Sequence, residues 1–520
     1  MKICILAAGK GTRMGEYGEK INKSLLPVRN KAIISHIIDS FQDSDEFVIA
    51  VGYLGDQVKE YLSMAHPKRK FQYVNVENFE NEGSGPGLSL LYCKNYLNEP
   101  FYYMPCDCIL HTNLKNLPKT NWIGTTKVSH TESISYCNLK IENGIVTNIR
   151  DKEISNSDYV AFSAPLFVKD HEIFWEGLKN NKKIKNEHQI SNGIIKLFQK
   201  STLIAIDIEW EDIGDLKKYQ KILSQSENFD FSKPNEFIYF VNNTVIKFST
   251  ESKNILQLIS KSKIHPNIFP KIKSSGKNFF CYEYFEGDIF YNVNNVSKFE
   301  LLLTWLEKNL WNPVNIKDEK MNDSCKKFYY EKTIKRINIF KEKYKNYELP
   351  LSVNGDNIHS LDEILKKIMW NELFNGIPCF IHGDLNFGNI LYNENKFCLI
   401  DCRPNFAEFV EFGDLYYDLA KLYAGLIINF QDIRDNNFEY VEFNHNATIN
   451  LKKWELQDPL VKKFETYIIS KNLDLKRIKI LAGITFLNMA PLHNSPFDKL
   501  LMAFGSKLIN DQVFTNNNTT

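Results

Sequence analysis

The sequence predicts an α/β protein of two domains, an N-terminal doubly wound, mostly parallel sheet followed by a two-lobed α+β domain. Three observations lead there. A chain of 520 residues exceeds the roughly 150 residues of one ordinary core. Over about the first 225 residues, short apolar strands alternate with amphipathic helices, the pattern of a parallel sheet covered on both faces. From Glu236 the texture changes to a strand hairpin, a helix, one more strand and a largely helical remainder. The 43% hydrophobic and 24% charged fractions are those of a globular chain.

In chain order, residues 2–7, 46–52, 71–76 and 101–104 read as strands, and 31–41, 55–63 and 87–97 as the helices between them. In such a sheet ligands bind at the carboxyl ends of the strands. The polar run 224–235 contains a proline and marks the boundary, giving domains 1–225 and 236–514, a linker 226–235 and a frayed tail 515–520. Residues 237–241 and 244–248 flank Asn242-Asn243, a hairpin signal. A helix over 253–262 and a strand over 279–284 follow. In the helix 294–310, Phe299, Leu302 and Leu303 form a stripe read as core.

Composition also excludes. Sixty-four Lys and Arg against 63 Asp and Glu leave a net charge of +1, so no overall field favours nucleic acid or an anionic membrane. The apolar run at the start is too short for a signal peptide, and no stretch is long enough for a membrane helix. Ten scattered cysteines without paired C-x2-C spacing read as reduced thiols. The expectation is a soluble, cytoplasmic protein without nucleic-acid or membrane partners, and self-association into a homo-oligomer is compatible with it.

Leu6-Ala7-Ala8-Gly9-Lys10-Gly11-Thr12-Arg13 leaves the first strand and enters a glycine-bearing loop. Its N–H groups can cradle phosphates, and Arg13 and the lysine of Asn22-Lys23-Ser24-Leu25-Leu26-Pro27 add positive charge. At these residues the sequence resembles the nucleotidyltransferase family of sugar-1-phosphate and phosphocholine transferases, whose pattern is LAAG-x-G-x-R followed by P-K-x-L-x-P; Asn22 stands where the family has proline. The resemblance implies that Leu6, Ala8, Gly9 and Gly11 line the nucleotide. It implies that Asp107 and Asp212, the latter in Trp210-Glu211-Asp212-Ile213-Gly214, hold Mg2+. It places Lys152 on the substrate phosphate, and Gly83 and Gly85 of the 82–89 loop near base and substrate. That loop departs from the family's L-G-T-A-x-A/G, so base and acceptor stay open. In the implied reaction a substrate phosphate attacks the α-phosphorus of a nucleoside triphosphate and expels pyrophosphate. Every party is anionic, so Arg13, Lys23 and the metal act by positioning and neutralisation.

In the second half, Ile381-His382-Gly383-Asp384 precedes Asn389 with the five-residue spacing of a loop in which an aspartate accepts a hydroxyl proton and an asparagine binds Mg2+. An apolar strand then ends at Asp401, and Val245-Ile246-Lys247-Phe248 offers a strand lysine. With Gly413-Asp414-Leu415-Tyr416-Tyr417-Asp418-Leu419-Ala420, this half resembles the aminoglycoside phosphotransferase and choline kinase family and its kinase-like fold. The likeness implies Asp384 as base, Asn389 and Asp401 as Mg2+ ligands and Lys247 on ATP, with Asp418 a structural partner of the catalytic loop. Cys402-Arg403-Pro404 departs from the choline kinases, and Arg403 suits an anionic or hydroxyl-rich substrate.

Together the halves imply a bifunctional enzyme. It would phosphorylate a small alcohol or sugar with ATP, then join that phosphate to a nucleotidyl group from a second triphosphate, CTP or UTP favoured. The product would be an activated donor for surface polysaccharide or glycoconjugate synthesis. The alternatives are synthesis of CDP-choline or CDP-ethanolamine, or an aminoglycoside-type phosphotransferase with an accessory transferase domain.

Overall fold

The computed structural model describes residues 1–80, 83–155, 158–179, 183–184, 186–224, 235–293, 295–345 and 347–514. Most of the expected linker, the tail and Asn294 lie outside the described residues. The chain forms two compact units, one of Met1–Ser226, Ser232–Ser252 and Lys273–Tyr282, the other chiefly of Lys253–Ile272 and Glu283–Thr520.

In the first unit a nine-stranded sheet runs Lys70–Asn75, Glu46–Val51, Lys2–Ala7, Phe101–Pro105, Tyr159–Val168, Trp122–Thr126, Ile204–Asp207, Ile145–Asp151 and Cys137–Glu142. The sheet is mixed. Its first four strands are parallel, because each is reached by a crossover through a helix. Tyr159–Val168 then runs antiparallel to its three neighbours. The central strands are buried on both faces, which is why Ile3, Cys4, Ile5 and Leu6 form a continuous apolar run. The helix expected over 31–41 is shorter, Ile33–Asp39, because Lys31–Ala32 pairs with Pro27–Val28 in a two-residue ribbon.

A second, four-stranded sheet begins with the hairpin Glu236–Val241 and Thr244–Ser249, turned by Asn242 and Asn243 at φ 48° and 57°. Contact places this hairpin and Phe279 with the first unit, although sequence order groups them with the second half. Phe237, Tyr239, Phe248 and Phe279 belong to one buried cluster with Tyr61, Leu62 and Ile33. The Tyr239 hydroxyl donates to the Leu25 carbonyl at 2.8 Å, and the Glu60 carboxylate accepts from the Phe279 amide at 3.0 Å.

The second unit is mostly helical. Val296–Asn309 starts at an Asn295 cap and buries Phe299, Leu302, Leu303 and Leu306 in the core. Leu415–Ile427 is buried nearly all round. Leu475–Met489 packs on Phe497–Val513, where Gly483 and Gly505 meet so closely that an added Cβ on either would lie 2.9 Å from the other's carbonyl oxygen.

Candidate active sites

In the first unit, Leu6 and Ala8 are buried at the carboxyl end of the first strand, and Gly9 and Gly11 open the loop after it. Gly11 has φ 66° and lies against the stem of Lys23. A helical turn over Thr12–Met14 carries Arg13 outward. Asn22, in the place of the family's proline, ties this region together through hydrogen bonds instead of a fixed ring. Its amide nitrogen donates to the carbonyls of Ala7 (3.0 Å) and Tyr53 (2.8 Å), and its oxygen caps the turn Lys23–Leu25 through the Ser24 amide.

Lys23 is 8% exposed, and its Nζ donates to Asp107 Oδ2 and to the Gly214 carbonyl, both at 2.9 Å. Burial raises the Asp107 carboxyl, but Lys23, assisted by Arg13, outweighs it and holds the group below the ordinary carboxylate range. The strands Trp210–Asp212 and Cys108–Leu110 pair so that Asp212 faces Cys108, and the Ile213 amide donates to the Asp107 carbonyl at 2.9 Å. Asp107 and Asp212 are thereby set side by side. Asp212 accepts from the Tyr136 hydroxyl at 2.7 Å, from the Gly214 amide at 2.7 Å and from Lys218. Burial, then the bond to Asp212, pushes the Tyr136 hydroxyl up to about 12.

Lys152, at φ 55°, donates its amide to the Tyr136 carbonyl, and its Nζ lies 3.4 Å from Glu187. Gly83 (φ 87°) packs against Lys183, and Gly85 (φ 135°) against Glu187 and His188, where a side chain would collide with the Lys183 stem or the His188 carbonyl. The structure thus gathers Lys23, Asp107 and Asp212, and connects Lys152 to them through Tyr136. Sequence reasoning missed Lys218 and Tyr136. Lys218 sits six positions after Asp212 on the next helix, one signal to follow; Tyr136 has none, because pairing across the fold brings it in.

The donor set fits Mg2+ as two hard carboxylate oxygens, with the remaining ligands left to triphosphate and water. No group of three or more His, Cys, Asp or Glu side chains suited to a metal occurs among the described residues. Lys23 and Lys218 now hold the two carboxylates and would turn to phosphate oxygens when a metal takes their place.

In the second unit, Asp384 anchors a catalytic loop. Its Oδ1 lies 2.6 Å from Lys421 Nζ, and Asn389 Nδ2 donates to its carbonyl at 2.9 Å and to Oδ2 at 3.2 Å. Burial raises Asp384, but Lys421, then His382 and Arg403, hold it below the usual carboxylate range. With its amide nitrogen committed to Asp384, Asn389 has its carbonyl oxygen to offer a metal. Asp401 follows Ile400, whose amide donates to the Asn389 carbonyl at 3.0 Å, and it adopts φ 59°. This pair also suits Mg2+. His382 is fully buried with Nε2 on the Ile400 carbonyl. Asp418 accepts from the amides of His382 (2.8 Å) and Gly383 (2.7 Å) and from Trp311 Nε1 (3.2 Å), which pins the loop backbone. Burial, only partly offset by these donors, lifts Asp418 to about 6. Lys247 lies on Thr244–Ser249 of the first unit, its Nζ 5.9 Å from the Tyr282 ring centre.

All ten cysteines are free. No helix among the described residues is long and apolar enough to cross a membrane.

Comparison with known proteins finds a family match in each half of the chain. Residues 3–114 match the model of the MobA-like NTP transferase domain, and residues 342–447 that of the phosphotransferase enzyme family. The bifunctional protein GlmU of Methanocaldococcus jannaschii is 27% identical over 237 residues, covering 44% of this chain and 56% of that protein. The chain therefore spans about half the length of this relative. A probable glucose-1-phosphate cytidylyltransferase of Bacillus subtilis is 43% identical over 64 residues, 12% of this chain and 25% of that one. Among solved structures, a UDP-glucose pyrophosphorylase in complex with UDP-glucose aligns with 43% of this chain and 97% of its own at 18% identity and a TM-score of 0.38. The chain thus carries a stretch that matches a nucleotidyltransferase domain model, followed by one that matches a phosphotransferase family model.

Proposed function

We propose that the chain makes a nucleotide-activated donor in two steps, with the domain division drawn at residues 226–235. The phosphotransferase half moves the γ-phosphoryl group of ATP to a hydroxyl of a small alcohol or sugar, and ADP leaves. The transferase half lets that phosphate attack the α-phosphorus of CTP or UTP, and pyrophosphate leaves. The observation that carries the reading is the pairing, on one chain, of the Lys23–Asp107–Asp212 constellation with the Asp384–Asn389 loop. The sugar-phosphate nucleotidyltransferase named among the relatives supports a sugar-type acceptor and CTP.

In the transferase site, Lys23 and Arg13 neutralise the triphosphate, while the loop at Gly9 and Gly11 lets its backbone approach closely. Lys152 holds the attacking phosphate. In the phosphotransferase site, Asp384 Oδ accepts the proton of the attacking hydroxyl. At both sites Mg2+, when bound, supplies charge neutralisation on the phosphates.

The test is pyrophosphate release by the full chain with each nucleoside triphosphate and a panel of sugar 1-phosphates and choline phosphate. Release with a sugar phosphate and CTP or UTP is expected. A folded protein that releases none with any acceptor would end the transferase reading.

A further inference from the structure

Beside the catalytic loop of the second unit, Lys421, Arg403 and Lys332 lie about one carboxylate, with Arg336 next to Lys332 on the same helix. Lys421 Nζ is 2.6 Å from Asp384 Oδ1. Arg403 sits against the same loop: its amide donates to the His382 carbonyl at 2.9 Å, and its Cβ would lie 2.6 Å from any Cβ added at Gly383. The glycine of His-Gly-Asp, at φ 82°, thus makes room for this arginine immediately before Asp384. The Arg403 guanidinium is 5.0 Å from the centre of the Phe328 ring, and Lys332 Nζ is 4.1 Å from the same centre. That ring is buried and fixed by Phe406 and Tyr417, at 4.3 and 4.8 Å between centroids, so it is a rigid platform for two cations. Arg336 follows Lys332 by one helical turn in Lys332–Lys343.

The positive charge lacks balance. Among the described residues no carboxylate lies within 4.0 Å of Lys332, Arg336 or Arg403. Glu408 is engaged by Lys327, and Asp401 is assigned to a divalent cation whose charge exceeds its own. Burial, and then Arg403, Arg336 and Lys421, hold the Lys332 ammonium well below its ordinary range, with Asp384 pulling the other way. Cations kept this close without counter-charge cost stability unless an anion joins them.

We propose that the phosphoryl acceptor is an alcohol already bearing a carboxylate or a phosphate, whose anionic group is seated on Lys332, Arg336 and Arg403 while its hydroxyl faces Asp384. The proposal rests on the phosphotransferase reading above and adds the charge of its substrate. It separates this site from one built for choline or a polycationic aminoglycoside, either of which the cluster repels.

The test uses the full chain with ATP and Mg2+ and five acceptors: glucuronate, glucose 6-phosphate, glucose, choline and kanamycin. One of the two anions should lead glucose in kcat/KM by about tenfold or more, and which one leads distinguishes carboxylate from phosphate. Arg336→Gln and Arg403→Gln should each erode that lead by raising the acceptor KM, with the KM for ATP little changed. Arg336→Gln is the variant less tied to the loop, so it keeps the test sound if Arg403→Gln fails to fold. Glucose, choline or kanamycin as the best acceptor would overturn the inference, as would variants that weaken ATP instead of the acceptor. If nothing is phosphorylated, equilibrium binding of the same five compounds decides. A preference for the anions keeps the charge assignment and removes the phosphotransfer reading; no preference removes the inference.

Discussion

At Asp384 burial and charge pull in opposite directions, and the charge of Lys421 wins. The base stays ionised to below the ordinary carboxylate value of about 4, so phosphotransfer should show no acid limb from this group above that pH. Replacing Lys421 with Met leaves burial opposed by His382, Arg403 and the Asn389 hydrogen bond. The carboxyl rises, and the acid limb of kcat/KM should move to higher pH; an unmoved limb would show that Asp384 is not the titrating base. At the other site, Lys23→Ala removes the buried cation that meets Asp107, and nucleotidyl transfer should fall by about 10²-fold or more in a steady-state assay, with phosphotransfer intact. Lys23 and Asp384 were singled out by motifs of fixed spacing, and Asp107 by its place at the end of a strand. Tyr136 and Lys218 were not, since no local pattern marks a hydroxyl or an ammonium that reaches Asp212 through the fold. Asn22 is the instructive middle case. It departs from the family's sequence, yet its hydrogen bonds to Gln57, Ala7, Tyr53 and Ser24 show how the Lys23 turn is held without a proline.

Among the elements, the four parallel strands 2–7, 46–51, 70–75 and 101–105 were readable to within a residue or two because their apolar residues stand between polar loops. The antiparallel members were not called. Cys137–Glu142 and Ile145–Asp151 mix exposed and buried positions at an edge, so their alternation is weak, and the short pair carrying Asp212 is too brief to show a period. The Asn242-Asn243 hairpin was read correctly, since two left-handed residues in sequence favour asparagine there. Helix packing hides another signal. Gly483 lies inside a helix, where glycine is unfavourable, and the reason is its contact with Gly505 and Ile509. Gly483→Ala would place its methyl 2.5 Å from Ile509 Cγ1 and should destabilise the second unit by about 1–3 kcal/mol in denaturant titration, against a gain from helix propensity alone.

For the whole molecule, two sites on one chain predict separable losses. Asp384→Asn should abolish ATP-dependent phosphorylation and leave pyrophosphate release from a supplied sugar phosphate unchanged; loss of both would contradict two independent sites. Length, element pattern and motifs pointed to two halves, but not to which residues pack together, because hydrophobic pattern says that a strand is buried and not against what. The hairpin at 236–249 is where that distinction shows. A shortened chain ending near residue 224, the natural place to cut by sequence, would strip Phe237, Tyr239, Phe248 and Phe279 from around Tyr61 and Leu62. Such a fragment should aggregate or melt well below the intact protein in a thermal scan. The two losses are therefore to be sought by point substitution, because a cut at the sequence boundary takes an aromatic face out of the first unit's own core.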